Sequence, residues 1–206
     1  MPCMAKPKGE LHPVWETSVK YQGVFVMRAL YKETFEFLKD INYTDELRYR
    51  YMERFYYEKR SNDPIEGRSM WIWWRTDKRD GVDVSTYYKF AIDVDFHVRF
   101  MKDVEAMVEG EKVKVQHGEV EVLIKGFVWR DYNGKWSEHW LLKHLQDFWY
   151  KRLWSRSFED KKHVIKNDME KLVRMVKQYF ELQSYLPLEG KIFPPSHGYR
   201  EEVKKQ

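Results

Sequence analysis

Asp93, Asp95 and His97 alternate along the stretch YYKFAIDVDFHVRF, and Glu119, Glu121 and Lys125 share another, GEVEVLIKG. Alternate residues of a β-strand face the same way, so each stretch, as a strand, presents its carboxylates in a row. Such rows are hard oxygen ligands that could hold Mg²⁺ or Mn²⁺ against phosphates, the chemistry of a metal-dependent phosphohydrolase acting on nucleotides or triphosphates. The competing expectation is cross-strand ion pairing on the wet face of a sheet. The pattern favours ion pairing, because alternating polar residues are what a half-buried sheet requires.

Other catalytic signatures are missing from the sequence. It has no glycine-rich phosphate loop, no Gly-x-Ser-x-Gly elbow, no Cys-x-x-Cys pair and no His-Glu-x-x-His. His139 and His144 are five apart, which places them on different faces of a helix. Cys3 has no defined base beside it. The residues therefore point to a non-enzymatic protein and call for no cofactor.

Binding chemistry is better represented. RYRYMERFYYEKR, residues 48–60, sets four arginines and a lysine among five aromatic rings. As a strand it places Arg48, Arg50 and Arg54 on one face and Tyr49, Tyr51, Phe55 and Tyr57 on the other. The turn SNDPIEG leads back into MWIWWR, residues 70–75, where Trp71 and Trp73 lie opposite Met70, Ile72 and Trp74. That strand cannot hide all its rings on one side. The hairpin register leaves open which tryptophans accompany the arginines. Guanidinium groups beside rings can meet phosphates while the rings stack bases, and core packing and a dimer contact are competing uses of the same rings.

The net charge is +4, but residues 143–177 alone hold ten Lys or Arg against five Asp or Glu. A basic helical end is a plausible footprint for RNA, with a solvated helix face as the plain alternative. The candidate RNA-binding residues are thus Arg48, Arg50, Arg54, Trp71, Trp73 and Arg75 from the hairpin, with Lys151, Arg152, Arg156, Lys161, Lys162 and Lys166 from the helical region. Nothing indicates a preference for DNA.

The elements that must position these residues follow from periodicity. The chain has 206 residues, 43% hydrophobic and 17% aromatic, enough for a packed core. A strand is expected near SVKYQGVFVM and a helix over about 29–40, with Leu30, Phe37, Leu38 and Ile41 as its apolar stripe. Antiparallel strands should occupy residues 46–132, with Val104–Val108 or Val113–Val115 continuing the sheet. From Ser137 the period becomes helical, and Ser157 with Asp160 reads as an N-cap signal that breaks the helix.

The expected fold is α+β: a curved antiparallel sheet of about five to seven strands, covered on one face by helices in a helix-grip-like topology, with a long C-terminal helical region. Residues 1–17 and 183–206 are expected to be mobile, flanking one domain over 18–182. A single cysteine and the lack of any apolar span of about twenty residues point to a cytoplasmic protein without membrane contact. Abundant Lys, Arg and Glu with few Asn and Gln fit a hyperthermophile.

Tyr150 and Trp154, four apart and off the stripe that runs from Leu141 to Leu153, suggest a homodimer contact. The run from about Tyr31 to Leu182, with MWIWWR, YYKFAIDVDFHV, KDVE and GEVEVLIKG, resembles a family of small archaeal proteins, that of the ribosome dimerisation factor. The resemblance implies a homodimer that joins small ribosomal subunits and holds them inactive, with ribosomal RNA and small-subunit ribosomal proteins as partners. Glu119, Glu121 and Lys125 also resemble the Glu-x-Glu-x-Lys start of triphosphate tunnel enzymes, with a longer spacing before the lysine and a position late in the chain.

Overall fold

The computed structural model describes residues 9–44, 52–61, 67–78, 87–108, 111–132, 134–140, 142 and 155–184. Among these residues, six strands and two helices are bounded, in the order β1 (Glu10–Phe25), α1 (Met27–Asp40), β2 (Tyr43–Thr44), β3 (Glu53–Arg60), β4 (Arg68–Lys78), β5 (Tyr88–Val108), β6 (Glu111–Arg130) and α2 (Ser155–Ser184). The fold is α+β. Its sheet is antiparallel and unclosed, ordered β1-β6-β5-β4-β2, with β3 also pairing β4.

Alternation dictates the two faces. Ile72, Trp74, Phe90, Ile92, Val94, Phe96, Val120, Val122 and Ile124 are fully or almost fully buried on the inner face. Against them α2 sets Phe158, Ile165, Met169, Leu172, Val176 and Phe180, spaced so that they fall on one side of the helix. Leu30 and Leu38 of α1 complete this layer, and Tyr31 meets Trp74 edge-on at 4.6 Å between centroids. Gly126 lies where β6 runs under the helix; a Cβ there would stand 2.2 Å from Met169 Sδ.

Several expectations are corrected. Residues 10–17, assigned to a mobile head, form the first half of β1 and pair with β6 from Glu10↔Arg130 onward. Pro13 disguised this strand, and it is accommodated because β1 is at the sheet edge and its register shifts between Pro13 and Trp15. Val104–Val108 and Val113–Val115 are both strand, as facing arms of the β5–β6 hairpin. That hairpin carries a bulge between Arg99 and Lys102, where Phe100 takes φ 54. Gly118 faces the bulge, and a Cβ on it would come within 2.8 Å of the Arg99 carbonyl. Ser157 and Asp160 lie inside the first two turns of α2, which runs unbroken from Ser155 to Ser184. Gln183 and Ser184, assigned to the mobile tail over 183–206, close α2, and residues 137–140, where a helix was expected from Ser137, are turn and bend. The rest of that tail, from 185 onward, and residues 143–154 of the expected helical region lie outside the described residues. No helix among the described residues is long and apolar enough to cross a membrane.

Candidate functional site

The face of the sheet away from α2 carries three cross-strand rows set by strand register. Tyr57, Trp71, His97, Glu121 and Lys20 lie in the first. Phe55, Trp73, Asp95, Leu123 and Ser18 make the second, and Arg75, Asp93, Lys125 and Glu16 the third. The rings gather at the β3–β4 end and the charges toward the middle strands.

The ring end is a contiguous stack. Phe55 lies on Trp73 at 4.3 Å and 28°, Tyr57 on Trp71 at 5.5 Å, and Trp71 on His97 at 5.0 Å and 25°. Much of it stays in solvent: Tyr57 is 50% exposed, Trp73 41% and Phe55 38%. Trp74, one residue on, is fully buried. The structure thereby resolves the open register: Trp71 and Trp73 are the outward pair, and Trp74 belongs to the core.

Arg75 borders this stack. Its Nε lies 3.3 Å from Asp93 Oδ2, and its Nη1 donates to Asp95 Oδ1 at 2.5 Å and to the Trp74 carbonyl at 2.7 Å. So braced, the guanidinium carbon sits 5.9 Å from the Trp73 ring centroid, within cation–π range. A register shift between Glu53 and Phe55 displaces Arg54 from the strict alternation expected of this strand. Arg54 consequently lines the same outer-face cavity as Arg75, Asp77, Lys89, Asp93, Phe127 and Trp129, about 300 Å³ in volume. The expected division into a ring face and a cation face is replaced by rings and cations on one face.

The carboxylates do not converge. Asp93 and Asp95 share Arg75, Glu119 pairs with Arg99 at 2.9 Å, and Glu121 pairs with Lys20 at 3.2 Å. Lys125 turns to Glu16 at 3.1 Å, and Lys89 to Asp77 at 2.8 Å. Among the described residues, no three His, Cys, Asp or Glu side chains are grouped to hold a metal ion. Cross-strand pairing uses the ligands that the metal reading needs. His97 Nε2 is buried without a hydrogen-bond partner, and burial beneath Trp71 lowers the imidazole pKa.

Asp93 is different from its neighbours. Burial pushes its pKa up to about 6; Arg75 opposes the rise, and Asp95 and Asp77 add to it. Between pH about 4 and about 6 the folded chain keeps a proton that the unfolded chain releases, so this group's stabilising contribution is full at low pH and lost as pH rises through about 6. Relative to the native chain, Asp93→Asn should therefore gain up to about 3 kcal/mol of stability between pH 4 and 7, since each tenfold change in proton affinity is worth about 1.4 kcal/mol. Urea unfolding of both proteins at the two pH values measures it; an unchanged difference would mean that Asp93 titrates normally.

The expected RNA-binding set is split by the fold. Arg54, Trp71, Trp73 and Arg75 come together on the outer face. Arg156, Lys161, Lys162 and Lys166 belong to α2, across the sheet. There Lys162 pairs with Glu159 at 2.7 Å and lies 4.7 Å from the Phe158 ring centroid, while Lys166 lies 6.0 Å from that of Trp15. The helix turns its apolar stripe to the inner face, so its cations cannot share a surface with the outer rings. Arg48, Arg50, Lys151, Arg152, Tyr150 and Trp154 lie outside the described residues. Sequence reasoning left Phe55 and Tyr57 out of the site, although their alternation with Tyr56 and a known register would have placed them on Trp73 and Trp71. No protein-family model and no curated protein sequence matches the chain.

Proposed function

We propose that the protein binds single-stranded RNA without catalysing a reaction, using the outer-face rings Phe55, Tyr57, Trp71 and Trp73 as a base-stacking platform with Arg54 and Arg75 at its border. The observation that carries this reading is the exposure of that stack on one sheet face, where a core ring would be covered. Base–aromatic stacking contributes about 1–3 kcal/mol per base and accepts every base. Sheet-borne aromatic rings are a recurring way of holding splayed nucleotides. Arg75 is already shared by two carboxylates, so stacking rather than phosphate attraction supplies most of the affinity.

In the fuller reading the RNA is ribosomal. The chain is then a cytoplasmic archaeal homodimer that bridges small ribosomal subunits, contacts their proteins and holds them idle. Its α2 rests in the concavity of a curved sheet as in helix-grip folds. A phosphohydrolase built on Asp93, Asp95, His97, Glu119 and Glu121 gains no support, because its four carboxylates are engaged in ion pairs and His97 lies beneath Trp71.

Titration with single-stranded and duplex oligoribonucleotides, followed by tryptophan fluorescence, tests the platform. The expected result is quenching by the single strand alone, with a shallow salt slope of about −1.5 to −2, as for two or three phosphate contacts. Equal binding of duplex RNA, or no quenching at tens of micromolar, would sink the stacking reading. Cosedimentation with small subunits in a sucrose gradient tests the ribosomal one.

A further inference from the structure

Strand β3 has β4 as its only partner among the described residues, so its other edge presents a row of backbone N–H and C=O groups. Such edges pair with any compatible strand unless something guards them. Two features bear on which strand fits here. Tyr56 and Tyr57, on opposite faces of β3, are 48% and 50% exposed, so neither face of this edge is covered. The residues ERFYYEKR also carry opposite charges at their two ends, Glu53 at the start and Lys59-Arg60 at the finish.

Two copies of one strand pair antiparallel about a two-fold axis normal to the sheet, and directly opposed residues must share a face. The bulge at Arg54 returns Glu53 to the face of Tyr56, Glu58 and Arg60, since Glu53 pairs with Trp74 as Tyr56 does with Ile72. Three registers then keep more than half of the strand paired. Centred on Glu58, that carboxylate falls opposite its own copy, which is repulsive. Centred on Tyr56, Phe55 meets Tyr57 but Glu53 falls opposite Glu58, which is repulsive. Centred on Tyr57, Glu53 falls opposite Arg60, Tyr56 opposite Glu58, and Phe55 opposite Lys59. In this register each of these off-axis pairs is complementary and occurs twice, while Tyr57 meets its own copy once on the axis.

We propose that β3 is the homodimer interface, pairing with β3 of a second copy in the register centred on Tyr57. The bulge and Lys59, ordinary guards of a sheet edge, here admit one register and disfavour the others. Tyr56, whose hydroxyl donates to Glu58 of its own strand at 3.0 Å, gains the second copy's Glu58 as an alternative acceptor. The two ring stacks become neighbours on one face of a continuous sheet, and an RNA strand would meet a platform twice as long. The inference rests on the dimeric part of the proposed function and is independent of RNA binding.

The test is made without RNA, so failure of the RNA reading leaves it intact. Light scattering at tens of micromolar should give twice the 25.4 kDa of one chain. Glu53→Arg and Arg60→Glu should each yield a monomer, because each sets like charges opposite one another at both ends of the pair. Mixing the two variants should restore a dimer, since both contacts become complementary again, a rescue that a merely misfolded chain would not give. In a Cys3→Ser background, Tyr57→Cys should cross-link fully under mild oxidation while Tyr56→Cys should not, because only residue 57 faces its own copy. A monomeric wild type, dimeric single variants, failure of the mixture to rescue, or cross-linking through residue 56 instead would overturn the proposal.

Discussion

Asp168→Ala should lower the unfolding free energy by about 3–5 kcal/mol, the cost of leaving a buried cation without its partner. Asp168 is a buried residue of α2, and its Oδ2 accepts from Lys78 Nζ at 2.8 Å and from the Tyr43 hydroxyl at 3.2 Å. Lys78, at the end of β4, keeps only 13% of its side chain exposed and lies 5.4 Å from the Tyr43 ring centroid. Lys171, 3.7 Å from Asp168 Oδ1, is a second cation on the same carboxylate, but it is largely exposed and loses little when Asp168 is removed. The pair ties the covering helix to β4 at the end away from the rings. Replacing both partners by apolar residues, Lys78→Met with Asp168→Leu, should return most of the loss, because desolvating two charges offsets much of their attraction. Urea unfolding of the three variants decides it. A loss near 1 kcal/mol for Asp168→Ala would mean that water reaches Lys78.

Neither Lys78 nor Asp168 stands out in the sequence, and the reason is general. Ninety residues separate them, and no local period links a strand terminus to a helix position. Local periods were informative elsewhere. The alternation along YYKFAIDVDFHVRF marked β5, and the Leu30–Leu38 stripe marked α1. What misled were interruptions of the period. Pro13 concealed eight residues of edge strand, and the bulge at Arg54 moved a cation onto the ring face. Phe100 and its bulge divided one long hairpin into apparent fragments. The candidate site was half legible for the same reason: Trp71 and Trp73 were visible as a pair, but their stacking on Tyr57 and Phe55 depends on a register that the turn residues do not specify. That the α2 cations lie across the sheet from the rings was not legible, because charge counts along a helix carry no information about which layer of the fold it covers.

Replacing Trp71 and Trp73 together by Ala should weaken binding of single-stranded RNA by about thirtyfold or more, from about 1–3 kcal/mol for each lost base–ring stack. The double variant should fold, because Trp73 is 41% exposed and the buried tryptophan of this strand is Trp74, which packs against Tyr31 and Phe96 from the other face. A structural control is available in the same molecule. Trp71 covers His97, whose pKa burial lowers, so removing the indole should let the imidazole titrate closer to its ordinary value, visible by NMR whether or not RNA is present. A folded double variant with His97 shifted and RNA affinity unchanged would show that the rings were removed and were not the platform. Loss of affinity with the same His97 shift, and with melting little altered, assigns the binding to the stack. Phe55→Ser, which strips the ring from Trp73 without touching the Trp71–His97 contact, should give a smaller loss and leave His97 where it was, so that base stacking and histidine exposure are read independently.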